Sequence, residues 1–391
     1  MMEATPVQQR KQLTPDEMVE VKPVQSKKEL GQFIDFPHDL YEGDPCYVPE
    51  LFIAQRDLLT PGKHPFHKHS TLQLFLAWRK GKIVGRIAAI QNNSHNSFNN
   101  TQDGFFGFFD SINDQVVADA LFNTAEAWLK QKGARTMIGP VNFSTNETCA
   151  LLVEGFDTPP MAMMTYNKPY YLDLITQAGF GKKVDTFAHK ITSDTVSDKP
   201  RKMLELLRKR LEQRNITIRT INMKKFREDA DKIREVYNAA WDKNLGFVPM
   251  NNEEFDYTAK DLKMIVDPDF VLLAEHEGKV IGITICIPDI NQILINVKRG
   301  RLLPTGIFKL LFGKKKINAL RIMVLGVLEE YRKLGIEAVF YGTVMENGLK
   351  KGMKWGEASW VLETNEMMNK GIENSVNGKV YKKYRIFEKA I

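Results

Sequence analysis

Three stretches of this sequence combine residue types that could do chemistry. Arg332-Lys333-Leu334-Gly335-Ile336-Glu337 stands between an apolar run, Ala319 to Leu328, and an amphipathic helical pattern that closes at Gly352. A glycine-bearing turn that opens a helix presents unpaired backbone N–H groups and the positive end of the helix dipole, which suits it to hold a pyrophosphate. Gly335 permits close approach because it has no Cβ. Glu337 works against such a ligand, adding bulk and negative charge beside the anion.

The second stretch is basic and apolar together. Between Ile290 and Leu328 there is no Asp or Glu but eight Lys or Arg, while the whole chain carries a net charge of +7, so the basicity is local. Within it, Leu302, Leu303, Ile307, Phe308, Leu310, Leu311 and Phe312 alternate with cations that end in Lys314-Lys315-Lys316. This composition suits an anionic membrane surface, where each basic residue adds about 1 kcal/mol. A nucleic-acid partner is not indicated, because stacking aromatics are outnumbered by Leu and Ile. The third stretch, His64 to His69, holds three histidines but has no carboxylate or Cys partner nearby, and no metal is expected. Cys46, Cys149 and Cys286 are far apart and read as core thiols.

These groups need a scaffold, and 391 residues with 43% hydrophobic and 26% charged residues can supply two globular domains. Residues 1–18 read as a flexible tail. A short strand near Val19 precedes helical patterns at Ser26–Leu40 and Glu50–Leu59. LQLFLAWRKGKIVGRIAAI is a hairpin turning at Lys80-Gly81, followed by an Asn-rich loop from Gln91 to Gln102. A strand (FFGFFD), a helix ending at Gly133, a further strand and a helix near Lys168–Gly179 complete the unit. The same order then returns. Ala77–Ile90 aligns with Ala274–Ile287, placing Gly81 over Gly278 and Gly85 over Gly282, and Asn167 aligns with Asn365 at nearly the same offset. The expected layout is therefore a first domain at 19–196, a linker helix at 197–215 and a second domain at 216–391. In the first unit the place of the glycine turn is taken by Phe109-Asp110-Ser111-Ile112-Asn113-Asp114, whose carboxylates would repel a pyrophosphate. No apolar run is long enough to span a bilayer, so a cytoplasmic chain, peripheral on the inner face of the membrane, is expected.

This order of elements resembles the GNAT acyltransferase superfamily, and Arg332–Glu337 looks like its phosphate loop. GRIAAI, GFFGFFD, GPVNFSTNE, LLVEGFDTPP, YNKPYY, RLLPTGIFKLL and YKKYRIFEK are similar to a tandem-domain branch, the bacterial ceramide synthase-like family. The resemblance implies an α/β fold, a mixed sheet flanked by helices, in two tandem GNAT-like domains related by duplication, the first degenerate. It implies an acyl-CoA-dependent N-acyltransferase acting on a hydrophobic amine, a long-chain sphingoid-like acceptor. Val327, Leu328, Arg332, Lys333, Leu334, Gly335 and Ile336 would bind acyl-CoA, with Asn365 and Asn369 on its pantetheine arm. Glu363 and then Glu147 are the candidate bases, and Tyr384, ahead of Tyr381, the candidate partner of the leaving thiolate. The alternatives are acetylation of a small soluble amine, aminoacyl transfer from transfer RNA, and a GNAT-like protein that binds without catalysis.

Overall fold

The computed structural model describes residues 18–192, 198–241, 244 and 246–391. The expected tail lies outside these residues except for Met18, and the start of the linker lies outside them as well.

The first half runs β1 (Glu20–Pro23), α1 (Lys27–Leu40), α2 (Phe52–Leu59), β2 (Thr71–Arg79), β3 (Lys82–Gln91), α3 (Asn93–Asn99), β4 (Asp103–Ser111), α4 (Gln115–Gln131), β5 (Thr136–Gly139), β6 (Leu151–Glu154), α5 (Tyr171–Gln177) and β7 (Gly181–Thr192). Local chemistry explains the boundaries. Ser26 and Glu29 form a reciprocal capping box at the start of α1. Lys80 and Gly81 both take positive φ, as a tight hairpin between twisted strands requires. The Asn-rich loop is not wholly a loop. Asn92 accepts the His95 amide and thereby starts the short helix α3.

The second half runs α6 (Asp198–Glu212), β8 (Ile216–Thr220), α7 (Phe226–Ala240), α8 (Asn252–Leu262), β9 (Val271–His276), β10 (Lys279–Pro288), α9 (Asn291–Leu294), α10 (Gly306–Gly313), β11 (Ala319–Val327), α11 (Ile336–Lys350), β12 (Trp355–Leu362), α12 (Glu366–Val376) and β13 (Lys379–Ala390). Glu277-Gly278 repeats the positive-φ turn of Lys80-Gly81. The expected linker helix, α6, packs on α11, and its Leu204 sits where a Cβ on Gly342 would otherwise be.

Among the described residues one mixed sheet of thirteen strands runs through both halves, with β6 pairing on β13 off the main path. Its centre reads β4-β5-β13-β7-β12-β11. The closing strand of each half is thus seated in the other: β13 pairs with β5, and β7 pairs with β12. The two meet each other antiparallel along the join, from Lys379↔Lys190 to Glu388↔Gly181. Ion pairs bind this seam, with Arg385 and Lys182 on Asp185, and Lys183 on Glu388. One apolar core lies under α4 and α5 and a second under α1 and α2, while a third surrounds the strands of the second half.

Candidate active site

In the second half β11 and β12 run parallel from Ala319↔Trp355 to Ile322↔Ala358 and then part. β11 stays with β10 as far as Val327, bulging at Met323, while β12 stays with β7 as far as Leu362, with a register shift between Ala358 and Val361. The wedge between them opens into a cavity of about 360 Å³, where Met323, Val324, Trp360 and Leu362 line its near side. The roof is stitched across the two halves. Tyr237 donates to Asn146 at 2.7 Å, Asn146 to the Val248 carbonyl at 2.9 Å, and Thr145 to the Gly246 carbonyl at 2.9 Å. Trp241 stacks on Tyr237 and lies against Gly326, where a Cβ would come within 2.3 Å of its ring. On the floor, the Thr186 hydroxyl is buried with no hydrogen-bond partner among the described residues.

Beyond β11 the chain reaches the glycine turn. Lys333 and Gly335 take φ of +66° and +92°, and α11 begins with no side chain capping its N–H groups. Arg332 folds back to the Val327 carbonyl at 3.1 Å, and Lys333 is exposed. Val327, Leu328 and Ile336 are buried, Leu334 and Glu337 half-buried. Leu207 of α6 stands beside the turn, 2.9 Å from where a Cβ on Gly335 would project. Asn365 caps α12 by accepting the Met368 amide at 3.2 Å, and Asn369 donates to the Leu362 carbonyl at 3.0 Å. The glycine turn and this pair therefore sit at the carboxyl ends of the two parting strands, the side of a parallel arrangement on which ligands collect.

The three acid–base candidates are scattered. Glu147 lines the cavity, with His64 Nε2 3.6 Å from its carboxylate. Glu363 is held by Lys182 at 2.7 Å and by the Asp185 amide at 2.9 Å, in the seam. Tyr384 is wholly buried in the core on β13; burial pushes its hydroxyl well above the usual range, and the oxygen has no partner among the described residues. Tyr381 instead donates to Glu357.

Sequence reading passed over a buried ionic group at the apex of the wedge. Arg321 faces the cavity and donates to Ser359 Oγ at 3.0 Å and to the Ala162 carbonyl at 3.0 Å. Glu357, directly opposite on β12, is 0% exposed; burial raises its pKa and the Arg321 charge opposes that. The signal was an Arg and a Glu inside apolar strand runs, where a charge must be paired. The expectation that the histidines of 64–69 lack a carboxylate partner is corrected by the fold, which brings Glu147 to His64 and Glu254 to His69 from distant parts of the chain. His64 Nδ1 accepts the Phe66 amide, His67 Nε2 meets the Leu58 carbonyl, and His69 Nε2 meets Glu254 at 2.8 Å. No group of three or more potential metal ligands exists among the described residues.

The basic apolar segment forms α10 and its flanks. Leu303, Phe308, Leu311 and Phe312 are each more than half exposed, and Phe312 reaches 74%. Four of its cations are engaged within the protein: Arg301 pairs with Asp35, Arg299 with Asp35 and Asp39, Lys309 donates to the Asn296 carbonyl and Lys314 to the Met264 carbonyl at 2.9 Å. No helix among the described residues is long and apolar enough to cross a membrane.

No family model matches the chain. It is 36% identical over 374 residues to Protein YghO of Escherichia coli strain K12, covering 94% of each chain. It is 35% identical over 381 residues to the bacterial ceramide synthase of Caulobacter vibrioides, covering 95% of this chain and 97% of that protein. Among solved structures, a tandem GNAT protein from the clavulanic acid biosynthesis pathway superposes with a TM-score of 0.56 at 12% identity, over 95% of this chain and 98% of that one.

Proposed function

The chain belongs to the family of these two relatives, the bacterial ceramide synthase family of GNAT-fold N-acyltransferases, and from that premise we propose that it transfers an acyl group from acyl-CoA to the amine of a long-chain, sphingoid-like acceptor. The observation that carries this reading is the β11–β12 wedge, which joins an uncapped helix start on one side to a large, mostly apolar cavity on the other.

In this reading the pyrophosphate lies at the start of α11, held by its free N–H groups and dipole. The pantetheine arm follows the wedge past Asn365 and Asn369, and the thioester carbonyl rests against the β11 backbone near the Met323 bulge, where an amide can polarise it. The acceptor nitrogen attacks the carbonyl carbon, a C–N bond forms, and the C–S bond breaks to release CoA as the thiolate. Glu147, which lines the cavity, takes the proton from nitrogen. The thiolate is protonated from solvent. Glu363 and Tyr384 serve the join of the halves, as their seam contacts and core position suggest. Lysines and exposed apolar side chains of α10 bring the protein to an anionic membrane, where such an acceptor resides.

Mass spectrometry of products formed from mixed acyl-CoAs and mixed amines tests the reading. A long-chain amide should form, and Glu147→Gln should lower kcat about a hundredfold or more. Acetylation of small polar amines in preference would support the soluble-acceptor alternative, and no amide product would exclude both. Sedimentation with anionic but not neutral vesicles, weakened by Phe308→Ala with Phe312→Ala even at high salt, tests the membrane part.

A further inference from the structure

The cavity does not stop at the wedge. Its floor follows one row of the sheet from Met323 and Trp360, past Thr186 and Val184 on β7 and Ile386 on β13, to Ile138 on β5 and Phe105 on β4. That row crosses six neighbouring strands. At the usual spacing between strands it is about 24 Å long. Along its far half Val184, Ile386, Ile138, Val141 and Phe105 present hydrocarbon, and Asn99, Thr101, Asp103 and Lys183 also belong to the lining there. The far wall is fixed in place: the Phe105 ring meets His95 edge-on at 4.8 Å between centroids, and His95 Nε2 in turn binds Asp103 at 3.2 Å.

We propose that this trough holds an unbranched hydrocarbon chain, with its reacting end at the β11–β12 wedge and its tail against Phe105 and Ile138, so that the first half of the molecule sets the preferred chain length. The proposal rests on the acyltransferase reading for which end reacts, but the trough itself is defined by its lining. A floor of apolar side chains favours a hydrocarbon chain because each methylene that lies on it leaves water. A long chain in this orientation passes over the exchanged strands β13 and β7, so its length is measured by residues far from the reacting carbon. The chain belongs either to the amine or to the acyl group, and binding can separate the two.

Calorimetric titration of straight-chain amines, octylamine through octadecylamine, into the protein saturated with CoA is the test, beside titration of acyl-CoAs of matched lengths. Each methylene that enters the trough should tighten binding about fourfold until the far wall is reached, after which affinity levels off. Phe105→Ala should move the levelling point to longer chains and Ile138→Phe to shorter ones, while the octyl member binds all three proteins equally. Val141→Phe replaces Ile138→Phe if melting curves show that the latter does not fold. A ladder in the amine series assigns the trough to the acceptor, and one confined to the acyl-CoA series assigns it to the donor. A levelling point that is the same in the native protein and the variants overturns the trough. A native protein that shows the ladder yet forms no amide overturns the acyltransferase reading and leaves the trough standing.

Discussion

The start of α4 and the start of α11 occupy the same place in their halves, each following the strand that parts from its neighbour. In the first half, Asp114 caps the helix by accepting the Val116 amide at 2.9 Å, and Arg79 pairs with it at 2.7 Å. The helix end is therefore already satisfied by an internal anion. The wedge between β4 and β5 is closed as well. Val141 donates to the Phe106 carbonyl, and Asn142 Oδ1 accepts the Phe108 amide at 2.8 Å. Behind it, Asp110 sits buried with Arg86, Tyr41 and Tyr171. In the second half a glycine stands where Asp114 would, and the wedge leads to the cavity. One scaffold has thus been completed with its own side chains in one copy and left open in the other. The closed copy contributes walls to the open one.

The largest effect should come from closing the open helix start. Gly335→Asp places a carboxylate at the proposed anion site, on a residue with φ of +92° and with Leu207 close by, and should lower CoA affinity about a hundredfold or more by calorimetry. Unchanged affinity would remove the distinction between the halves.

The next effect concerns Asn92 and Asp289, which share the repeat offset. Asn92 is neutral, donating to the Phe143 carbonyl and accepting from His95. Asp289 accepts the Ala162 amide at 2.9 Å, and burial, with Glu357 nearby, pushes its carboxyl up to about 6 from 3.8. A raised carboxyl stabilises the fold fully below pH 4 and loses that contribution as pH climbs through 6. Between pH 4 and 7 about 2–3 kcal/mol is lost from this group. Urea titrations of Asp289→Asn should lack that part of the decline; an identical pH profile would deny the shift.

Asn142→Ala leaves the Phe108 amide and the Thr148 hydroxyl without the bonds they now make, and should destabilise by about 2 kcal/mol. CoA stoichiometry should stay at one per chain, because Asp114 still occupies the neighbouring helix end; a second bound CoA would mean that Asn142 alone keeps the first half closed. Asp114→Ala should have the smallest effect, about 1 kcal/mol from the lost cap, read as a shift in the urea midpoint.

Much of this contrast was legible in the sequence. The paired glycines, the turn at Gly335 and the carboxylates from Asp110 to Asp114 are local features, and local spacing reports them. Asn142 was not legible, because its target lies 34 residues away and no periodicity connects them. Arg321 and Glu357 could have been flagged as charges in apolar strands, but not as partners. The seam was also hidden, since the pattern of a strand records which face is buried and not which strand lies beside it. Glu363 follows an apolar strand that leads toward the wedge, yet β7 is the neighbour its side chain meets.

The seating of β13 between β5 and β7 also bears on how the chain is made. Synthesis proceeds from the N-terminus, so β5 is finished long before residues 379–390 exist. Until they arrive, its edge presents unpaired N–H and C=O groups beside an apolar face, the kind of edge on which other chains pair. The first half is in this sense translated early and completed last, and a fragment ending before Lys379 would keep that edge open indefinitely.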